Sequence, residues 1–508
     1  MKKTTNTLLA AVLGIIIGAM IMLFFNQIQE RKSLYRTQYL EWRKLNLILQ
    51  QVEENYVDTV DVTKLTDAAV MAALAELDPH SIYMPPQIRE ESDNSLAANF
   101  DGIGIQFNVP NDTAVVIESI VGGPAEKVGV MAGDRLIKVG DEVIAGVKYP
   151  QDSIVRRIKG PAGTKVNILV KRGKEEIPFE ITRGKIPLHC VDASFMSDAK
   201  HGYVRLSKFS RSTYKEVSEA VEQLSAEGME HLILDLRDNS GGFLDQALLL
   251  SNMFLPKDSL IVYLEGRKRD REDFRADGRG KYQDLKLSVL INEGSASSSE
   301  IFAGAMQDNH RAQIVGRRSF GKGLVQEPIN FTDGSGIRLT VARFHTPSGR
   351  CIQKPYTDDY QYEVYKRYAG AEMVSRDSMK LENGGILPDI FVPIDTTKAS
   401  QFHLKCNRKA TPLRFASAYF DKHAKELSLI DDFGKLEIYL KNAGLEKQFL
   451  QYAKEKDGIV PAKGEWEEAK PYLMPQIEGL VGRYSRLGEN AFYRLYLTID
   501  DTYKAAIY

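Results

Sequence analysis

The residues able to do hydrolytic chemistry gather between Ile291 and Gln326. Asn292-Glu293-Gly294-Ser295-Ala296-Ser297-Ser298-Ser299-Glu300 follows the apolar β-type run Leu287 to Ile291 and leads into Ile301, Phe302, Ala305 and Met306, spaced as one face of a helix. A serine therefore sits where a strand ends and a helix begins. There its Oγ is exposed, and the helix's free N–H groups and dipole face any negative charge that develops nearby. A hydroxyl is a poor nucleophile until a base takes its proton, and no histidine stands in a recognisable triad pattern. The base on offer is Lys322, in Gly321-Lys322-Gly323, with Gln326 just behind it. An ammonium can serve only if burial lowers its pKa from about 10.4 toward neutrality. Phe320, Leu324 and Val325 supply apolar surroundings for that shift. This is the Ser/Lys form of nucleophilic catalysis.

A second loop can complete such a site. His231-Leu232-Ile233-Leu234-Asp235-Leu236 reads as a buried strand, and Arg237-Asp238-Asn239-Ser240-Gly241-Gly242 follows, before a helical run from Phe243 to Met253. Two glycines after a strand can be a tight turn and no more. Their backbone can also approach a substrate carbonyl closely, as an oxyanion hole requires. Gly316 to Lys322 also satisfies G-x-x-x-x-G-K, the opening of a phosphate-binding loop. Gly323 then stands where a Ser or Thr should hold magnesium, and Leu324-Val325-Gln326-Glu327-Pro328 opens no helix, so the nucleotide reading fails.

The two motifs together closely resemble the carboxyl-terminal processing, or tail-specific, serine peptidases of family S41, whose pattern runs roughly S-A-S-x-S-E, then F-G-K-G-x-V-Q. The resemblance implies Ser297 as nucleophile, Lys322 as general base and Gln326 as the residue that orients the lysine. It also implies an L-R-x-N-x-G-G oxyanion loop, so that Gly241 or Gly242 joins the amide of Ser298 as donor. Asp308, eleven residues after Ser297, matches an acidic position in relatives and is read as support, structural or catalytic. Ser298 replaces the alanine usual in the family, Arg317 a commonly acidic residue and Cys351 a serine. Thr346-Pro347-Ser348-Gly349-Arg350 and Gly384-Gly385-Ile386-Leu387-Pro388-Asp389 match further family segments, as does Leu77-Asp78-Pro79-His80-Ser81 in the N-terminal helical region. A capping or structural role is expected for His80.

These loops must be carried by a larger frame. From Phe100 to about Gly184 come short β-runs, Gly102 to Phe107, Val115 to Ile117, Leu136 to Val139 and Val166 to Val170, with turns at Gly123-Pro124 and Ala132-Gly133-Asp134. The ordered set resembles a PDZ domain, with Gly102-Ile103-Gly104-Ile105 as its carboxylate-binding loop and a groove helix over about Gln151 to Ile158. Loop amides suit a terminal carboxylate, and the peptide can add as a strand to the sheet edge. Whether such docking tethers the substrate or also activates the site is open.

The chain is 508 residues long, 27% charged and 43% hydrophobic, enough for about three or four domains. A formal net charge of −1 leaves no basic footprint for nucleic acid. Cys190, Cys351 and Cys406 are odd in number and far apart, which suits neither a metal pair nor a disulfide framework. Lys2 and Lys3 precede Leu8 to Phe25, apolar or small residues that would span roughly 27 Å as a helix. No A-x-A-like exit follows, so an uncleaved anchor is favoured over a signal peptide, with the body exported.

The expectation is a multidomain α+β protein. It has a membrane anchor over 1–30, a helical region over 31–97, a PDZ domain over 98–184, an α/β S41 peptidase core of ClpP/crotonase-like type over 185–395, and a helical extension over 396–508. The extension carries no assignable chemistry and is read as a dimerisation or bracing element. The implied protein is an endopeptidase held at the bacterial inner membrane with its body on the periplasmic side. It takes protein or peptide substrates with free C-termini, has no metal or other cofactor, and pairs with itself or an adaptor protein. The competing class is an inactive PDZ-bearing scaffold.

Overall fold

The computed structural model describes residues 43–89, 99–109, 112–120, 122–187, 189–356, 360–369, 384–395 and 400–507. The apolar segment Leu8 to Phe25 lies outside them. Among the described residues no helix is long and apolar enough to cross a membrane. The chain forms two compact units, residues 1–83 and 84–508. The first holds helices α1 (residues 43–55) and α2 (Val62–Ala75), with strand β1 (Ile82–Met84) at the junction. Asp61 caps α2 through Lys64 N. Asp78 accepts the amides of His80 and Ser81, which fixes the turn and gives His80 its structural setting.

The second unit begins with a short helix α3 (residues 86–89). The PDZ domain follows: β2 (Asn99–Gly102), β3 (Ile105–Asn108), β4 (Ala114–Ser119), α4 (Pro124–Val128), β5 (Arg135–Val139), β6 (Glu142–Val143), α5 (Gln151–Ile158), β7 (Lys165–Arg172), β8 (Glu175–Thr182) and β9 (Gly184–Pro187). Its main sheet runs β3-β4-β5-β7-β8, and β2 pairs with β9 to close the domain. Val166, Ile168 and Val170 alternate into the core while Lys165, Asn167 and Lys171 face out, the period-2 pattern of a half-buried antiparallel strand. Helix α5 spans the residues expected for the groove helix and buries Ile154 and Ile158.

The catalytic body contains β10 (Val191–Met196), β11 (His201–Leu206), α6 (Thr213–Ala226), β12 (His231–Asp235), α7 (Leu244–Asn252), β13 (Leu260–Gly266), β14 (Arg269–Arg275), β15 (Lys286–Ile291), α8 (Ser298–Asp308), β16 (Gln313–Gly316), β17 (Leu324–Asn330), β18 (Gly336–His345), α9 (Tyr360–Ala369) and β19 (Ile390–Phe391). Its central sheet has the order β10-β11-β12-β15-β16-β19, parallel except for β10. All five residues of β12 are buried, as a parallel strand covered on both faces must be. One face, with Leu232, Leu234, Val289 and Ile314, packs on α6, α7 and α8. The alternate face, with Tyr203, Ile233, Leu290 and Val315, meets Leu497, Tyr503 and Ala506 from the chain's end. Beside it β17, β18, β13 and β14 form an antiparallel sheet.

The C-terminal extension is helical throughout: α10 (Gln401–Arg408), α11 (Thr411–Leu427), α12 (Phe433–Asn442), α13 (Leu445–Asp457), α14 (Glu465–Gly482), α15 (Glu489–Tyr496) and α16 (Asp501–Ile507), with a 3-10 turn at Leu497–Ile499. It has its own core around Phe415, Phe449, Trp466 and Leu473. It also reaches the PDZ domain. The Phe420 ring occupies the space where a side chain at Gly133 would stand, and Arg135 pairs with Asp421.

Candidate active site

Strand β15 and helix α8 deliver Ser297. The serine is the residue before α8 and adopts φ 54°, ψ −114°. This sparsely populated conformation costs on the order of 1–3 kcal/mol and survives only where the surroundings over-determine it. They do so here. The Ser297 amide donates to Glu300 Oε2 at 2.9 Å, and Phe320 N donates to Ser295 O at 2.9 Å. Ser295 Oγ donates to Leu236 O at 2.8 Å and Ser299 Oγ to Asn239 O at 2.9 Å. Ser295 and Ser299 thus lace the serine turn to the glycine loop.

That loop follows β12. Asn239 organises it: its Nδ2 donates to Leu206 O at 2.8 Å, its Oδ1 accepts the Gly241 amide at 2.9 Å, and its carbonyl accepts Ala296 N at 3.0 Å. Gly241 has φ +93°, and a Cβ there would lie 2.8 Å from both Ser297 Cβ and Ser298 N. Gly242 has φ +150°, and a Cβ there would lie 1.9 Å from Phe209 O. Both positions therefore exclude any side chain. Among the described residues the amides of Gly242 and Ser298 have no hydrogen-bond partner. Ser298 Oγ donates to Gly242 O at 2.9 Å, a bond that alanine could not make.

The lysine loop arrives from β16 and continues into β17, an extended strand where a phosphate-binding loop would open a helix. Lys322 and Gln326 are half-buried. Lys322 stands two residues before β17, and Gln326 is the third residue of that strand. Gln326 lies opposite Thr340 of β18, where the register slips by one. The loop is braced from behind: Lys354 N donates to Gly321 O at 2.9 Å and Gly323 N to Gln353 Oε1 at 2.9 Å. Arg317, whose charge stands close to the lysine in sequence, is paired with Glu293, so it is neutralised locally.

Glu300 joins the two motifs, and its task was not evident from sequence. It is fully buried. Oε2 accepts the amides of Ser297 and Lys322, the latter at 2.8 Å; Oε1 accepts the amide of Gly321 at 2.7 Å and the hydroxyl of Ser319. Burial raises its pKa, while these four donors oppose the rise. The glutamate of the serine motif was the only available signal. Nothing local states that its carboxylate turns back toward a lysine loop more than twenty residues away.

Asp308 ends α8 away from the lysine itself. Its Oδ2 accepts Ser348 N at 3.0 Å and Ser348 Oγ at 2.7 Å, and it pairs with Arg350. Burial pushes its carboxyl up, but the Thr346 hydroxyl, then the Ser348 hydroxyl and amide and the Arg350 charge, hold it below the usual range. Gly102 ends β2, Ile103 and Ile105 lie in the PDZ core, and Gly104 turns the chain at φ +77°. Among the described residues no cluster of three metal-ligating side chains occurs. The three cysteines are free.

The family profile of peptidase family S41 matches residues 200–362, and that of the PDZ domain matches residues 115–172. A probable CtpA-like serine protease of Staphylococcus epidermidis (strain ATCC 12228 / FDA PCI 1200) is 33% identical over 347 residues, 67% of this chain and 70% of that protein. The carboxy-terminal processing protease CtpA of Bacillus subtilis (strain 168) is 35% identical over 313 residues, 61% of this chain and 66% of its own. A solved photosystem II D1 C-terminal processing protease is 25% identical, covers 68% of this chain and 91% of its own, and superposes with a TM-score of 0.37. The site stands inside the segment that the family profile matches, and the chain belongs to peptidase family S41, a serine peptidase that carries a PDZ domain.

Proposed function

We propose that this peptidase is an exported endopeptidase, anchored by Leu8 to Phe25, that docks substrate C-termini on its PDZ domain and cleaves with Ser297 and Lys322. One observation carries the reading: a single buried carboxylate, Glu300, receives the backbone of both residues and so brings the two motifs to one point. In this reading neutral Lys322 Nζ takes the proton as Ser297 Oγ attacks the peptide carbonyl. The C–N bond then breaks, Lys322 returns the proton to the leaving amine, and water hydrolyses the acyl-enzyme. Gln326 orients the lysine. The free amides of Gly242 and Ser298 receive the oxyanion. The Gly241 amide is engaged by Asn239, so Gly241 serves by leaving room beside the Ser298 N–H.

Ser297→Ala and Lys322→Ala are each expected to abolish hydrolysis of an unfolded peptide while leaving folding and PDZ docking intact, because nucleophile and base act as a unit. Lys322→Arg is expected to be equally inactive, since a guanidinium stays protonated. Turnover at the parent rate by any of the three sinks the dyad. Labelling of Ser297 by a peptidyl phosphonate, read by mass spectrometry, tests the nucleophile directly.

A further inference from the structure

The last residues of the chain reach the glycine loop. Asp500 precedes α16, and its Oδ1 accepts the amides of Thr502 at 2.9 Å and Tyr503 at 3.1 Å, which caps that helix. Its other oxygen, Oδ2, stands 2.7 Å from Arg237 Nη1, with the two side chains only 5% and 15% exposed. Arg237 opens the loop that ends in Gly241-Gly242. From the other side it is held by Asp235, at 2.6 Å from Nη2, and Asp235 also takes Arg205 at 3.1 Å and the Tyr203 hydroxyl at 2.7 Å. Burial opposes ionisation of Asp235, but the two arginines prevail and hold its pKa at about 2.

Arg205 also faces Asp192 at 3.9 Å and Asp238 at 3.8 Å, whereas among the described residues Arg237 pairs with Asp235 and Asp500. Arg237 cannot shed its proton, so removing the Asp500 charge leaves it, in a dry site, with only Asp235, which it shares with Arg205. Relief would come from movement of Arg237. The chain from there passes through Asn239, whose side chain fixes the Gly241 amide and whose carbonyl binds Ala296 N and Ser299 Oγ.

We infer that Asp500 is a positioning residue for the oxyanion loop: the C-terminal extension fixes Arg237 and, through it, the aim of the Gly242 amide. The inference rests on the reading in which that loop receives the oxyanion. Asp500 acts on Arg237 by charge, the ion pair being the interaction between them. Asparagine therefore separates its two tasks, since an amide oxygen still caps α16 but carries no charge.

The test compares the full-length protein with its Asp500→Asn and Tyr503→Phe variants. Tyr503→Phe removes a bond from the same segment to Ser197 Oγ, which does not lead to the loop. Asp500→Asn is expected to lower kcat and the rate of Ser297 phosphonylation about tenfold or more, with KM within about twofold. Tyr503→Phe is expected to keep the parent kcat. An unchanged kcat in Asp500→Asn overturns the inference, as does an equal loss in both variants that tracks the folded fraction. Should Asp500→Asn fail to fold, Asp500→Glu moves the charge by one methylene, and a parent kcat there overturns it equally. Parent protein left unlabelled at Ser297 would sink the protease reading itself. Equal labelling of parent and Asp500→Asn sinks only the role of Asp500.

Discussion

At the scale of single residues, the site is governed by which polar groups are already engaged. Gly241 and Gly242 look alike in sequence, yet Asn239 takes the amide of the first and leaves the second open. That choice depends on the Asn239 side chain reaching forward to the amide two residues on. Glu300 is the stronger case. Each of its oxygens receives two donors, and they come from the serine turn and the lysine loop. Glu300→Gln keeps size and shape but turns an NH2 group against backbone N–H donors. A buried donor facing donors loses its own bond and theirs. We expect kcat to fall on the order of a hundredfold with KM little changed, in keeping with the loss of site preorganisation. Steady-state kinetics on an unfolded peptide check this, and a kcat within about twofold of the parent would show that Glu300 does not set the dyad.

At the scale of elements, Asp308 closes α8 and His231 opens β12. Asp308 pins the Thr346–Arg350 turn, and the chain beyond that turn supplies Gln353 and Lys354 to the backbone of the lysine loop. Asp308→Ala is expected to destabilise the protein on the order of 2 kcal/mol and to lower activity in step. An unchanged melting temperature with collapsed activity would mean that Asp308 takes part in the chemistry. His231 is the first residue of β12, an inner strand of the sheet. Its Nε2 lies 2.9 Å from Ser288 Oγ, which donates to Ala506 O at 3.2 Å, so the ring's Nε2–H is the donor to the serine. Burial first, then Lys286 and His201, push its pKa down to about 4, against a smaller opposing pull from Asp198. The folded state thus refuses a proton that the unfolded chain accepts. Stability from this group is full above about pH 6.5 and lost as the pH falls to about 4. Denaturant titrations across that window are expected to give a shallower slope for His231→Gln than for the parent; equal slopes would remove His231 as a source of acid sensitivity.

At the scale of the molecule, legibility followed the range of the interactions. The PDZ groove helix, the serine turn and the buried β12 were readable because alternation, helical spacing and glycine turns are local signals. The C-terminal extension was not. Its amphipathic helices announce that a face is buried, but not that Leu497, Tyr503 and Ala506 cover the second face of the catalytic sheet. The extension braces both partners, since α11 also sets Phe420 over Gly133 and Asp421 beside Arg135 of the PDZ domain. A PDZ domain held in this way would act mainly by raising the local concentration of a docked tail at the cleft. Amidating a substrate's C-terminus removes the charge that the Gly102–Ile105 loop is proposed to bind, while its apolar last residue is unchanged. Paired long, unfolded peptides, free acid against amide, are therefore expected to differ in KM, the amide being weaker, at a common kcat. A fall in kcat as well would mean that docking shifts the population of an active state, by differential affinity for two arrangements of the held domain. Identical kinetics for the pair would mean that this domain does not read C-termini, and substrate selection would then rest with the cleft around Ser297.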